Sequence, residues 1–207
     1  MNDELSNILL RVRTLYRKYG IRSVTMDDVS RELGISKKTL YQYVLDKDEL
    51  VRKVIDLEVE TRLQNMQKSC REDLNAIEEL LEIAQCISYM LKEYSPVIEY
   101  DLKKYYPDAY LRLREMKREH MFKFIHDNLI KGKKEGLYRI ELDIDILTKL
   151  SVSHIDGMFD SEVIAIDEFL DKRFYHEYFI YHLHGIANEK GLQVLKEQLR
   201  NFENNEE

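Results

Sequence analysis

Residues 25–50 read TMDDVSRELGISKKTLYQYVLDKDEL, two short helices and a glycine-containing turn in so little chain that a helix-turn-helix is the arrangement they fit. Thr25 is placed to accept from a backbone N–H two or three residues on, and Asp28 sets negative charge at the positive end of the same helix. Met26, Val29 and Leu33 follow with the i, i+3, i+7 spacing of a buried face. Gly34 supplies the left-handed residue that ends the helix, and the turn is Gly34-Ile35-Ser36. Ser36 caps the next helix, in which Leu40 and Val44 share one side.

The side left over carries the chemistry. Lys, Ser and Thr satisfy phosphates, Gln pairs with an adenine edge through two hydrogen bonds, and a Thr methyl or Tyr ring meets a thymine methyl. Asp46 and Glu49 predict a third cap, opening a helix with Lys47 in its first turn. A cation is unfavourable at that end, and a phosphate ligand would explain it. The candidate DNA-contacting set is therefore Thr25, Ser36, Lys37, Lys38, Thr39, Tyr41, Gln42, Tyr43 and Lys47. Tyr41 and Lys47 are assigned to phosphates, and Lys38, Gln42 and Tyr43 to base edges. Two helices of an ordinary bundle with a solvated basic face would share the spacing, but not the combination of caps, turn and Lys47.

At Gly34, Ile35, Ser36, Thr39-Leu40-Tyr41, Tyr43, Val44, Lys47 and Asp48-Glu49-Leu50 the chain resembles the TetR-type bacterial transcriptional regulators. Two positions depart from that pattern: Val44 stands where an aromatic is usual, and Asp46 where a neutral cap is common. The resemblance covers about the first quarter of the chain. It implies an all-α protein with an N-terminal three-helix DNA-binding domain and a larger helical effector-binding and dimerisation domain, divided here as residues 1–48 and 49–207. It also implies a homodimer on a double-stranded operator, most often as a repressor, and an unidentified small-molecule effector. Families of this kind diverge in the larger domain, so the effector's identity does not carry over.

The rest of the chain is consistent with that outline. Two prolines and seven glycines in 207 residues, with 44% apolar and 34% charged side chains, leave few breaks for a β-rich protein and suit long amphipathic helices. The net charge of −7 is unevenly spread: residues 1–50 hold nine basic and eight acidic side chains, and the remainder 23 and 31. An acidic body limits nonspecific adhesion to nucleic acid while Lys37, Lys38 and Lys47 still engage phosphates. Cys70 and Cys86 are too few for a disulfide framework and read as idle thiols rather than a redox pair. No leader or long uncharged apolar run is visible, so the expectation is a cytoplasmic protein with no membrane partner.

A first helix is predicted from about Asn2 to Tyr19, with Arg11, Arg13, Arg17 and Lys18 left to solvent or a phosphate. The helix opened by Asp46 runs without a breaker to about Ser69, a physical link between head and body. Further helices are predicted over 74–94, after Ser95-Pro96, over 108–134, over 143–159 and from Asp167 or Glu168 to about Asn188. In the third of these, Leu111, Leu113, Met116, His120, Met121, Phe124, Ile125 and Leu129 are available to a core.

Tyr89, Met90, Tyr94, Tyr110, Phe122, His126 and Phe159 form the candidate ligand pocket, a composition that equally suits a plain helical core. Phe174, Tyr178, Phe179, His182, Gly185 and Ile186 make a stripe too wide for one neighbour and are the candidate dimer interface, unless another helix of the same chain covers it. His176, His182 and His184 are wrongly offset for metal ligands on one helix face, and no catalytic triad order or glycine-rich phosphate loop is visible. No cofactor, metal or catalytic residue is expected. The rival reading is a helical enzyme or small-molecule carrier with a vestigial head, and a third is a DNA-binding protein without an effector.

Overall fold

The computed structural model describes residues 3–69, 73–91, 94–158, 163–165, 168 and 171–205, without the side chains of 65–69, 88–91, 172, 175 and 201–205. Among the described residues there are ten helices and no strand beyond one isolated bridge, Tyr138 to Ala187. They are α1 Asp3–Tyr19, α2 Met26–Leu33, α3 Lys37–Leu40, α4 Lys47–Ser69, α5 Ala76–Leu91, α6 Pro96–Tyr105, α7 Pro107–Lys134, α8 Ile144–Met158, α9 Lys172–Ile186 and α10 Glu189–Asn205. The fold is all-α, with the helix-turn-helix at the N-terminal end.

Two compact units emerge: Met1–Gln64 with Tyr94–Lys117, and Asn65–Glu93 with Arg118–Glu207. The first is built on Leu9, Val12, Ile21, Val29, Leu40, Val44 and Leu50, all buried, and its core is completed by Val51 and Val54 of α4, Leu102 of α6 and Ala109 of α7. Glu58 of α4 ties α1 down by accepting from Arg13 at 3.1 Å and Arg17 at 2.9 Å, and it also pairs with Arg62. Burial pushes the Glu58 carboxyl up, but the three guanidiniums outweigh it and hold it below the usual carboxylate range. Arg11 is exposed, as expected, and also donates to the carbonyls of Glu32 and Leu33 at the end of α2.

The second unit centres on Ile77, Leu129, Tyr138, Leu183 and Leu195. Two of its buried polar side chains are bonded together: the Asn128 amide donates to the Ala76 carbonyl at 2.9 Å, and the Tyr138 hydroxyl donates to Asn128 Oδ1 at 2.9 Å.

Several boundaries follow from caps. Asn75 accepts from the N–H groups of Ile77 and Glu78 while Glu78 accepts from Asn75, so α5 opens at Ala76 and not at Leu74. Asp171 caps α9, which therefore begins later than Asp167 or Glu168; Asp167 lies outside the described residues. The expected run to Asn188 is broken after Ile186, and a final helix that the sequence reading missed, α10, follows. Asn188 closes that break, donating to the Gly136 and Tyr138 carbonyls and accepting from Gly191 N–H. Leu111 and His120, expected in the core, are exposed, because α7 turns those positions outward.

Two glycines are fixed by close approach. A Cβ on Gly132 would overlap the buried Tyr138 ring, and one on Gly191 would overlap the Leu137 carbonyl. Gly132→Ala and Gly191→Ala are each expected to lower stability by about 1–3 kcal/mol, read as a drop in the urea midpoint at constant m-value. An unchanged midpoint would mean that α7 and α10 do not pack on the 137–138 segment as described.

Candidate functional site

The head is assembled by three consecutive caps. Thr25 Oγ1 accepts from Asp28 N–H at 3.2 Å and the Asp28 carboxylate accepts from Thr25 N–H at 2.9 Å, a reciprocal box that starts α2. Gly34 takes φ +70° and ends it. Ser36 Oγ accepts from Thr39 N–H at 3.0 Å to start α3, and Asp46 Oδ1 accepts from Glu49 N–H at 2.7 Å to start α4. Leu40 and Val44 anchor the α3 turn in the core. What α3 leaves outside is Lys37, Lys38, Tyr41 and Gln42.

Their commitments differ. Lys37 is paired with Asp27 at 2.5 Å, so its charge is already partly met. Lys38 and Gln42 are exposed and, among the described residues, their side chains have no bonded partner. Those two are free to read base edges. Thr39 is half-buried, with its hydroxyl 2.8 Å from Ser36 Oγ. Tyr43 is drawn away from the reading side: its ring packs on the core, its hydroxyl engages Glu4 of α1, and its carbonyl accepts from Lys53 at 2.8 Å. The base-edge assignment of Tyr43 is therefore corrected. Leu45, not anticipated, is 81% exposed between α3 and α4.

Lys47 also has an internal explanation. Its Nζ donates to the Arg22 carbonyl at 3.1 Å and stands 5.9 Å from the centre of the Tyr106 ring. Burial lowers its pKa against the opposing pull of Asp101, Asp48 and Asp28. One of its three donors is thus spent inside the protein, and the others remain for a phosphate.

The described pocket candidates fall in both units. Tyr94 and Tyr110 belong to the first unit, where Tyr94 donates to Glu99 at 2.5 Å and Lys103 lies over Tyr110. Phe122 and His126 belong to the second, stacked at 6.0 Å. The side chains of Tyr89 and Met90, and Phe159 entirely, lie outside the described residues. An open groove of about 400 Å³ in the second unit is lined by His184, Leu192, Leu195, Lys196, Leu199 and Arg200, none of them in the expected set. Among the described residues no group of three or more His, Cys, Asp or Glu is placed to hold a metal, and no helix is long and apolar enough to cross a membrane.

The candidate dimer stripe separates into two. Phe179 and Ile186 are buried in the chain's own core beside Leu183, so they are corrected from interface to interior. At 100° per residue, Phe174, Tyr178, Tyr181 and Gly185 form a different face of α9. On it Tyr181 is 79% exposed and a Cβ at Gly185 would meet open space. His182 lies at its edge, stacked on Tyr178 at 6.4 Å. Burial, and then the nearby His154 of α8, lower its pKa.

An exposed, capped recognition turn on an all-α scaffold defines a helix-turn-helix DNA-binding transcriptional regulator. Residues 8–54 match the sequence model described as bacterial regulatory proteins, tetR family. A Bacillus subtilis protein described as an uncharacterized HTH-type transcriptional regulator, YvaF, is 26% identical over 157 residues, 75% of this chain and 80% of that one. Among solved structures, a transcriptional regulator from Cytophaga hutchinsonii superposes with TM-score 0.74 at 17% identity, covering 90% of this chain and all of that one. A TetR transcription regulator from Haloarcula marismortui gives 0.72 at 17%, covering 91% and 100%. Over residues 8–54 the chain is similar to the bacterial regulatory proteins of the tetR family, and the superpositions show a shared fold.

Gln42→Ala is expected to cost about 1–3 kcal/mol on the preferred duplex and to flatten selectivity at one base pair in each half-site. Competition against duplexes varied one pair at a time reads this directly. Equal losses on every duplex would move Gln42 from the bases to the backbone.

Proposed function

We propose that the protein represses transcription in the cytoplasm by binding a near-palindromic operator as a homodimer, and that a small molecule taken up by its larger domain releases it. The observation that carries this is the uncommitted pair Lys38 and Gln42 on a turn held by caps at Thr25, Ser36 and Asp46. Residues 1–48 supply the DNA contacts and residues 49–207 the effector site and dimer contact. Thr25, Ser36, Tyr41 and Lys47 serve phosphates on either side of the reading turn.

One head meets too few base pairs to find a site in a genome, and a two-fold pair doubles the readout. Support for the pairing surface comes from α8 and α9 together. Ile146 and Leu150 of α8 are 56% and 51% exposed, and Gly157 continues their line with open space above it. Tyr181 and Gly185 give α9 a matching apolar face with a small residue at its end, flanked by Phe174, Tyr178 and His182. Two such faces on each subunit make a four-helix contact about a two-fold axis.

Leu150→Glu and Gly185→Glu would each bury an unpaired carboxylate at that contact, an effect of several kcal/mol. Sedimentation velocity is expected to find monomers with unchanged helical content and no operator affinity. Variants that stay dimeric at micromolar concentration and keep full operator affinity would place the subunit contact elsewhere.

A further inference from the structure

Arg22 lies three residues before the Thr25 cap, and its backbone is held from two directions. Its N–H donates to the buried Asp101 carboxylate of α6 at 2.8 Å, and its carbonyl accepts from Lys47. The side chain is thereby sent along α6. There the guanidinium sits 4.3 Å from the centre of the Tyr105 ring and donates to its hydroxyl. Lys104 converges on the same ring, its Nζ 5.5 Å from the Tyr105 centre and 5.1 Å from that of Tyr100, and it donates to the Tyr100 hydroxyl at 2.6 Å. The two rings meet edge to face at 6.4 Å, and Tyr100 is 54% exposed.

What distinguishes this cluster is its missing counter-charge. In a chain with seven more acidic than basic side chains, neighbouring cations are neutralised: Lys103 pairs with Glu99 at 3.0 Å and Arg112 with Asp56 at 2.9 Å. Among the described residues neither Arg22 nor Lys104 has a carboxylate within ion-pair distance of its side chain. Among the described residues the Asp101 carboxylate is hydrogen-bonded to the Arg22 backbone N–H. Two like charges sharing one ring repel, and the rings orient them without cancelling them. An anion is the partner that relieves this. Continuity says which anion: the cluster runs on from Lys47 and Thr25, the residues assigned to the DNA backbone at the edge of the reading turn.

We propose that Arg22 and Lys104, oriented by Tyr100 and Tyr105, form a second phosphate-binding surface that grips the DNA backbone outside the base pairs read by α3. This rests on the DNA-binding reading above and adds flanking duplex to the footprint. Duplex DNA offers one charge per about 1.7 Å of axis, so phosphates are available wherever the surface meets the strand.

The test compares two duplexes carrying the same selected operator, one trimmed to the half-sites and one extended by about one helical turn on each side, across a salt series. Wild type is expected to bind the extended duplex more tightly and with a steeper salt slope. Arg22→Ala and Lys104→Ala should each remove part of that advantage, leave affinity for the trimmed duplex unchanged, and keep base preference. Between 50 and 200 mM salt each variant dimer should lose about tenfold less affinity for the extended duplex than wild type, one phosphate per head. Arg22→Lys and Lys104→Arg should restore it. Equal affinity of wild type for both duplexes, variants that weaken both alike, or variants that lose affinity only for anionic lipid vesicles would overturn the proposal. Wild type that binds no duplex at any salt would instead refute DNA binding itself.

Discussion

Three helices spanning some fifty residues bury too little apolar surface to stand alone, and the first unit is shaped by how that shortfall is met. Leu40, Val44 and Val29 of the helix-turn-helix pack on a core that also takes Leu50, Val51 and Val54 from α4, Leu102 from α6 and Ala109 from α7. The recognition turn is thus supported by helices that follow it by up to seventy residues. The same helices fix the loop before α2. Gly20 takes φ +82°, a conformation that favours glycine, and a Cβ there would lie 3.2 Å from an Asp101 oxygen, a tight contact.

This arrangement gives α6 a mechanical role. The Asp101 carboxylate, the Arg22 peptide and Lys47 form a continuous polar path from α6 through the α1–α2 loop to the first turn of α4. A buried carboxylate that loses its N–H donor carries the full cost of desolvation, so displacing α6 is opposed unless the loop moves with it. Any ligand that shifts α6 acts on the base of the recognition turn through a few hydrogen bonds.

The head was largely legible in the sequence because its determinants are local. Thr25 with Asp28, Gly34, Ser36 and Asp46 each act within four residues, and all do what their positions imply. The same holds for Ser95 and Asp143, each of which accepts from the first turn of a helix. What escaped depends on partners far along the chain. Tyr43 has the spacing of an outward residue but is held back by Glu4. The aromatic stripe of α9 looked like one wide surface, whereas Phe179 and Ile186 turn inward beside Leu183 and leave Tyr181 and Gly185 to a second face. Helix α10 was passed over because Asn188 reads as the end of one helix, and its second use, accepting from Gly191, requires the return of the 136–138 segment to be seen. Arg22 and Lys104, 82 positions apart, have no sequence signal that joins them.

The central claim is that two copies of the turn around Lys38 and Gln42 read DNA together. Selection of bound duplexes from a random library, sequenced after several rounds, addresses it most directly. The account predicts an inverted repeat whose half-sites lie about one helical turn apart, centre to centre. Absence of enrichment, or enrichment of a single unrepeated half-site, would contradict it.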